Sequence, residues 1–358
     1  MVAQMTDVVS WTEAGPHEVA PGLYRLPLPL PITGLVAVNA YLAAGPQGLV
    51  LVDPGWATEE NERAVTRGLA ELGYGLDDIA VTVATHHHGD HYSQGCTWSG
   101  TRGTPVLIGR GEAPSILDYS REAPVRFPVQ VAQLREEGAH ELADGIAGSG
   151  VPNVEGSTRM AAPDGWLDHG DRIDLADGAL DVIATPGHTR GHIILRHTAS
   201  GSLITGDHVL PRITPSIGFE WSPEDSPLSS FLASLDATLG LADGALLPAH
   251  GEVLPGTHER VRELIAHHEE RLAEVRELLA DGLDSAFAIA GSMRWTRRRL
   301  TLDELPVEHR MIAVGEIRAH LVVLVERGDA TLTAEAGVRR YVPAVPGVGA
   351  PRPDRTRR

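Results

Sequence analysis

Lysine is absent from the 358 residues, so the fixed positive charges are all arginine. That absence excludes a Schiff-base lysine and the lysine of a phosphate-binding loop. A single cysteine, Cys96, excludes an intramolecular disulfide and any zinc site built from several thiolates, and it suits a reducing compartment. Aromatic residues make up only 4%, which leaves Val, Leu, Ile and Ala to build the core. Basic residues are outnumbered, 30 against 48 acidic ones, giving a formal charge of −18. Such a surface is a poor match for bulk nucleic acid, although a local basic patch is compatible with it. The first fifteen residues have no basic segment leading into an apolar one, so the expected location is cytoplasmic with no membrane partner. Residues 26–52 carry no charge, but Pro27, Pro29, Pro31, Gly34, Gly45, Pro46 and Gly48 interrupt them. They read as short strands joined by a Gly-Pro turn rather than a membrane span. No Gly-x-Ser-x-Gly occurs, which removes the usual serine-nucleophile signature.

Length alone suggests about two domains. Residues 19–53 read as a β-meander, with the apolar run Leu49–Val52 suited to a strand buried on both faces. Thr58 is placed to cap a helix running to Leu72, and Ile79–Thr85 is a further strand. A helix over 94–100 and a strand over 106–109 follow. Residues 112–165, rich in Pro, Gly and Glu with one weak helix over 129–142, read as an insertion and a candidate lid. Strands are expected at 172–175, 180–185, 192–197, 202–205 and 246–247, and a helix from Ser222-Pro223 to Leu239. Thr257 is expected to cap a long helix ending at Ala280. Short helices, then a Pro306-initiated helix to Gly328 and a terminal hairpin, predict a winged-helix-like module. The division is therefore 1–255 catalytic, 256–335 winged-helix-like, and 336–358 a tail expected to be disordered, most plainly in its Pro-, Gly- and Arg-rich part from Val345.

The chain holds 17 histidines, and their spacing concentrates attention on Thr85-His86-His87-His88-Gly89-Asp90-His91 at the end of an apolar strand. Residues two apart in an extended segment point the same way, so His86 and His88 can grip one cation. A turn at Gly89 would let Asp90 and His91 face a second. Imidazole and carboxylate are the ligands that zinc accepts, and iron and manganese too. Three further ligand types follow apolar strands in Gly-containing turns: His188 in Thr-Pro-Gly-His, Asp207 in Gly-Asp-His, and His250 in Pro-Ala-His-Gly.

This set of residues resembles the metallo-β-lactamase superfamily over about residues 20–255. The resemblance implies an α/β (α+β) fold, a four-layer αβ/βα sandwich of two similar halves, followed here by the small helical module. It also implies two divalent metal ions, with zinc expected and iron or manganese open. His86, His88 and His188 would hold one; Asp90, His91 and His250 the other; Asp207 would bridge them. Asp53 matches the acidic residue that supports the site from behind the ligands. Asp207 stands where the true β-lactamases have Cys in the second site, which points toward the glyoxalase II, lactonase and nuclease branches. The residues after 256 resemble a subgroup with a C-terminal winged helix that includes a mitochondrial endoribonuclease and many bacterial proteins of unassigned substrate, and Gly206–Pro211 resembles the bacterial members.

A bound cation lowers the pKa of its water to roughly 7, so hydroxide is available at neutral pH. Held between two cations, it can attack a carbonyl or phosphoryl centre, with Asp90 as the catalytic residue that orients it and moves the proton. The expected activity is hydrolysis of a small acyl substrate, a thioester, ester or lactone. The rivals are an endoribonuclease on single-stranded RNA, an iron-dependent persulfide-type oxygenase, and a non-catalytic binding module. His87 is expected to point away from the metals; His192, His197, His208 and Cys96 are expected to be structural. Arg297–Arg299 could meet RNA phosphates with Trp295 stacking on a base, and the C-terminal module could form a homodimer.

Overall fold

The computed structural model describes residues 10–31, 35–119, 127–149 and 160–344. In chain order the strands are β1 (His17–Ala20), β2 (Leu23–Pro29), β3 (Ala37–Gly45), β4 (Gly48–Val52), β5 (Ile79–Ala84), β6 (Val106–Gly109), β7 (Gly165–Leu167), β8 (Arg172–Leu175), β9 (Gly178–Ala184), β10 (Ile193–His197), β11 (Leu203–Gly206), β12 (Leu246–Pro248), β13 (Ala330–Glu335) and β14 (Val338–Pro343). The helices are α1 (Glu59–Glu71), α2 (Gly89–Arg102), α3 (Ala113–Tyr119), α4 (Pro128–Glu136), α5 (His140–Gly148), α6 (Pro227–Leu239), α7 (His258–Ala280), α8 (Ala286–Ser292) and α9 (Val307–Arg327). Strands β1 to β7 form one sheet in sequence order; β12-β11-β10-β9-β8 form a second. The uncharged stretch is therefore β2, β3 and β4, and among the described residues no helix is long and apolar enough to cross a membrane.

The two sheets face each other across a core of branched aliphatics. Val50, Val52 and Val83 from the first pack with Val182, Leu195, Ile204 and Leu247 from the second. Burying each such side chain is worth about 1.5–3 kcal/mol. The outer face of the first sheet is covered by α1 and α2, whose Val65, Leu69 and Trp98 join Leu42, Leu49 and Leu51. On the other side, Phe231 and Leu235 of α6 share a cluster with Leu246 of β12 and with α7, α8 and α9. The order helix, sheet, sheet, helix is the expected sandwich, with a C-terminal helical part and the β13–β14 hairpin appended.

Several local expectations hold. Thr58 Oγ1 accepts from Asn61 N at 3.1 Å and starts α1. Others need correction. Helix α2 begins at Gly89, not near 94, so Asp90 and His91 lie in its first turn. Gly89 makes no left-handed turn; it is small because a Cβ there would press on the Trp56 ring at 3.2 Å. The insertion contains three helices in its described part, and Gly138, with φ +85°, breaks α4 from α5 where one helix was expected. Helix α6 starts at Ser226-Pro227 rather than Ser222-Pro223. A start at Pro223 would put Pro227 inside the helix, where its missing N–H and its ring oppose the bond to residue 223. Thr257 does not cap α7 with its side chain. Asp243 does so from the preceding loop, accepting from Thr257 N at 2.8 Å and His258 N at 3.1 Å. Residues 338–343 belong to β14, so ordered chain continues past 335 to Ala344; the tail from Val345 lies outside the described residues.

Helices α4 and α5 of the insertion pack on α9, and Leu134, Ala143 and Ile146 belong to the same apolar cluster as Ile317 and Leu321.

Candidate metal centre

Strand β5 delivers the His cluster to the end of the sandwich. Three imidazoles from two loops converge there. His86 Nε2 lies 2.9 Å from His88 Nδ1, His188 Nε2 lies 3.1 Å from His88 Nδ1, and His188 Nε2 lies 3.2 Å from His86 Nε2. Three nitrogens in a triangle with edges near 3 Å match the face that three ligands present to one small cation bound at about 2 Å.

The far nitrogen of each ring is tied down. His86 Nδ1 sits 3.1 Å from Thr85 Oγ1, His88 Nε2 sits 2.9 Å from the Phe219 carbonyl, and His188 Nδ1 sits 2.7 Å from the Ser216 carbonyl. A ring that donates to a carbonyl on one side must offer its lone pair on the other. Burial holds all three imidazoles below their usual pKa, and for His86 and His88 the neighbouring histidines add to the effect. They are in the neutral, ligating form.

Beside this face lies a second, richer in carboxylate. Asp90, His91 and His250 bring ligand atoms within 4.8 Å of one another, and Asp207 stands with His86 and His91 in the same way. Asp207 Oδ2 is 3.6 Å from His188 Nε2 while its Oδ1 is 3.4 Å from His250 Nε2, so this one side chain faces both groups. His91 Nε2, His250 Nε2 and Asp207 Oδ1 are buried without a hydrogen-bond partner. Orphaned polar atoms are costly in a folded interior, and three of them aimed at one spot fit a divalent cation there. Burial opposes charge on His91, but Asp90 and Asp53 outweigh it and push its pKa up to about 10. Burial works against ionised Asp90 too, yet His91 and His250 hold its carboxyl well below the usual range.

Asp53 lies behind the ligand-type side chains, against Thr85 and His91. Fully buried at a φ of +51°, it accepts from Thr85 N at 2.8 Å and Thr85 Oγ1 at 3.0 Å, and its Oδ2 lies 3.0 Å from His91 Nδ1. All eight residues singled out in the sequence thus meet at one end of the sandwich.

His87 points away, with Nδ1 2.5 Å from Glu112 Oε2. His87, Glu112 and Glu220 form a group of metal-ligand type, but the carboxylate oxygens already have partners: Thr189 Oγ1 and His87 for Glu112, Arg190 N and Ser115 Oγ for Glu220. Sequence reasoning missed this network, which ties the start of the insertion to the His188 loop. Its signal was Gly109-Arg-Gly-Glu112: a Cβ at Gly191 would overlap the Glu112 amide, so the two loops touch backbone to backbone. Asn39 was missed as well. It is the one amide in an otherwise apolar strand, and its Nδ2 donates to the Pro248 and Gly251 carbonyls at 2.9 and 3.0 Å, while His250 Nδ1 lies 2.8 Å from the Ala37 carbonyl. His192 supports Asp207, whose N–H it accepts at 3.1 Å. His197 pairs with Ser200, His208 with Thr238, and burial pushes the Cys96 thiol up to about 11. Trp295 is a core residue whose Nε1 donates to the Ala290 carbonyl, so its ring is not free to stack on a base; Arg297–Arg299 are exposed.

Comparison with known proteins agrees with this geometry. The metallo-beta-lactamase superfamily profile matches residues 33–250. The chain is 26% identical over 278 residues to the "Probable metallo-hydrolase YqjP" of Bacillus subtilis (strain 168), covering 74% of this chain and 82% of that one. It is 25% identical over 224 residues to a hydroxyacylglutathione hydrolase of Rhizobium meliloti (strain 1021), covering 62% and 67%. The crystal structure of a metallo-beta-lactamase family protein from Thermus thermophilus superposes with a TM-score of 0.73 at 29% identity, covering 91% of this chain and all of that one. With the family profile spanning more than half of the sequence and a His/Asp cluster suited to divalent cations at the end of the sandwich, the chain belongs to the metallo-β-lactamase superfamily and is a metal-dependent hydrolase.

Proposed function

We propose that this chain hydrolyses a small acyl substrate, a thioester, ester or lactone, at two divalent cations, with zinc as the expected metal. His86, His88 and His188 would hold one cation and Asp90, His91 and His250 the other, with Asp207 available to either. The observation that carries this reading is the convergence of inward-facing lone pairs, each fixed by an anchored far nitrogen or left orphaned in the interior. Bound cations of this kind supply hydroxide at neutral pH and polarise the substrate carbonyl.

The protein side chains do the remaining work. Asp53 fixes the His91 ring so that Nε2 faces inward. Asp90, whose Oδ2 lies 3.3 Å from His250 Nε2, would orient the attacking water and carry its proton to the leaving group. Support for a thioester comes from the relative named as a hydrolase of hydroxyacylglutathione. The net charge of −18 and the buried Trp295 weigh against RNA. Residues 1–255 are read as the catalytic unit, and the three helices and hairpin after 256 as a winged-helix-like unit.

The test is thiol release from acyl thioesters by the zinc-loaded protein and its Asp90→Asn variant, with metal content measured in both. Turnover that the variant loses while keeping two metals supports the reading. A single tightly held iron would favour the oxygenase chemistry, and cleavage of single-stranded RNA without acyl hydrolysis would favour the nuclease.

A further inference from the structure

One buried carboxylate outside the ligand set touches both loops that carry the three-imidazole face. Glu112 stands in the short helical turn Arg110–Glu112 that opens the insertion, and it is fully buried. Its Oε2 lies 2.5 Å from His87 Nδ1, and its Oε1 accepts from Thr189 Oγ1 at 2.5 Å. His87 is flanked by His86 and His88, and Thr189 directly follows His188. One carboxylate oxygen therefore serves each loop. The loops also meet at their bases, where Ile193 N donates to the Thr85 carbonyl at 2.9 Å. Glu112 ties them a second time, next to the histidines themselves.

The backbone is shaped for this contact. Gly109, Gly111 and Gly191 all lie outside the left-handed region, so conformation does not demand glycine there. Space does. A Cβ at Gly191 would overlap Glu112 N, one at Gly109 would overlap the Gly191 carbonyl, and one at Gly111 would press on Gly191 Cα. Glu220 reinforces the arrangement: its Oε1 accepts from Arg190 N at 2.9 Å and its Oε2 from Ser115 Oγ at 2.7 Å, while the carbonyl of the preceding Phe219 anchors His88. The carboxylate-rich group is framed from other elements. Asp53, just after β4, meets His91, and the Ala37 carbonyl of β3 meets His250. Partners behind the ligands set ring orientation, and losing one typically weakens a metal site by about 10- to 100-fold.

We propose that Glu112 is a positioning residue for the three-imidazole cation site, clamping the His86–His88 loop to the His188 loop. The first turn of the insertion is then part of the metal centre's frame. This rests on the two-cation reading above and gives each cation a frame of its own.

The test reads zinc affinity by competition with a chelator, in full-length protein carrying one ligand substitution. H250A leaves the three-imidazole group intact; H188A leaves the carboxylate-rich group intact. E112A and T189V are added to each, and T189S, which keeps the hydroxyl, is the conservative control. In the H250A protein, E112A should weaken zinc binding by about 10- to 100-fold and T189V by about tenfold, with T189S close to unchanged. In the H188A protein none of the three should move affinity by more than about twofold. The melting temperature of the metal-free proteins is recorded beside each titration, so that T189V keeps the test decisive if E112A unfolds. Equal weakening in both backgrounds marks a purely structural role and overturns the clamp, as does unchanged affinity in the H250A protein. An H250A protein that holds no zinc removes the three-imidazole cation itself, and the two-cation reading fails before the clamp is reached.

Discussion

Two groups of buried histidines in this molecule do different work. At the end of the sandwich, the ligand-type rings bond outward to carbonyls or to Thr85 and Asp53, leaving nitrogens that converge from separate loops. Between α7 and α9, His268 and His320 bond to each other at 3.2 Å, and His320 Nδ1 closes on the Glu316 carbonyl at 2.7 Å. His268 Nε2 is orphaned there too, but His268 belongs to no group of three ligand-type side chains among the described residues. Burial alone therefore does not mark a ligand. The mark is an anchored far nitrogen together with partners for the near one from other elements.

Four experiments would break or sharpen that contrast. Asp90→Asn should lower kcat by about 10²- to 10⁴-fold, the usual scale for a lost proton carrier, even at metal concentrations that keep the centre filled; steady-state kinetics beside elemental analysis separates this loss from weaker metal binding. Asp53→Asn should weaken metal binding by about 10- to 100-fold by releasing the His91 ring, while His320→Gln should leave metal content alone; titration against a competing chelator separates the two.

The third concerns pH. Burial pushes the His320 pKa down to about 4 and His268 lower still, well under the unfolded value of about 6.5. Between those limits the unfolded chain binds more protons than the folded one. The stability these groups contribute is complete above pH 6.5 and is lost as pH falls toward 4, at about 1.4 kcal/mol per pH unit for each histidine. Thermal unfolding of the metal-loaded protein should fall across that window, and the double variant H268Q/H320Q should fall less steeply. The smallest effect is expected from Asp243→Ala, which uncaps α7 and should cost about 1 kcal/mol in denaturant unfolding with no change in metal content.

Legibility in the sequence followed the range of the interactions. Strand β4 and helix α1 were readable because a continuous apolar run and a Thr58 cap act within a few residues. The eight site residues are readable because each lies within a few residues of a strand's end, Asp90 and His91 in the helical turn that follows β5. What escaped depended on distant partners: Asp243 capping a helix fifteen residues on, Glu112 meeting the His188 loop, and Asn39 meeting Pro248. Helix α2 was read too short because its first turn is spent on Asp90 and His91, polar residues that mask the helical period.

The contact between β3 and the 248–251 loop has a consequence for how the molecule is made. Asn39, Tyr41 and the Ala37 carbonyl hold Pro248, Gly251 and His250 across more than two hundred residues. A growing chain emerging from the ribosome can complete the anchored three-imidazole face once residue 219 is out, since the Ser216 and Phe219 carbonyls hold His188 and His88. It cannot complete the second group until residue 251 has reached strand β3. The carboxylate-rich group thus closes last, and a chain cut short before His250 would lack one of its ligand-type side chains.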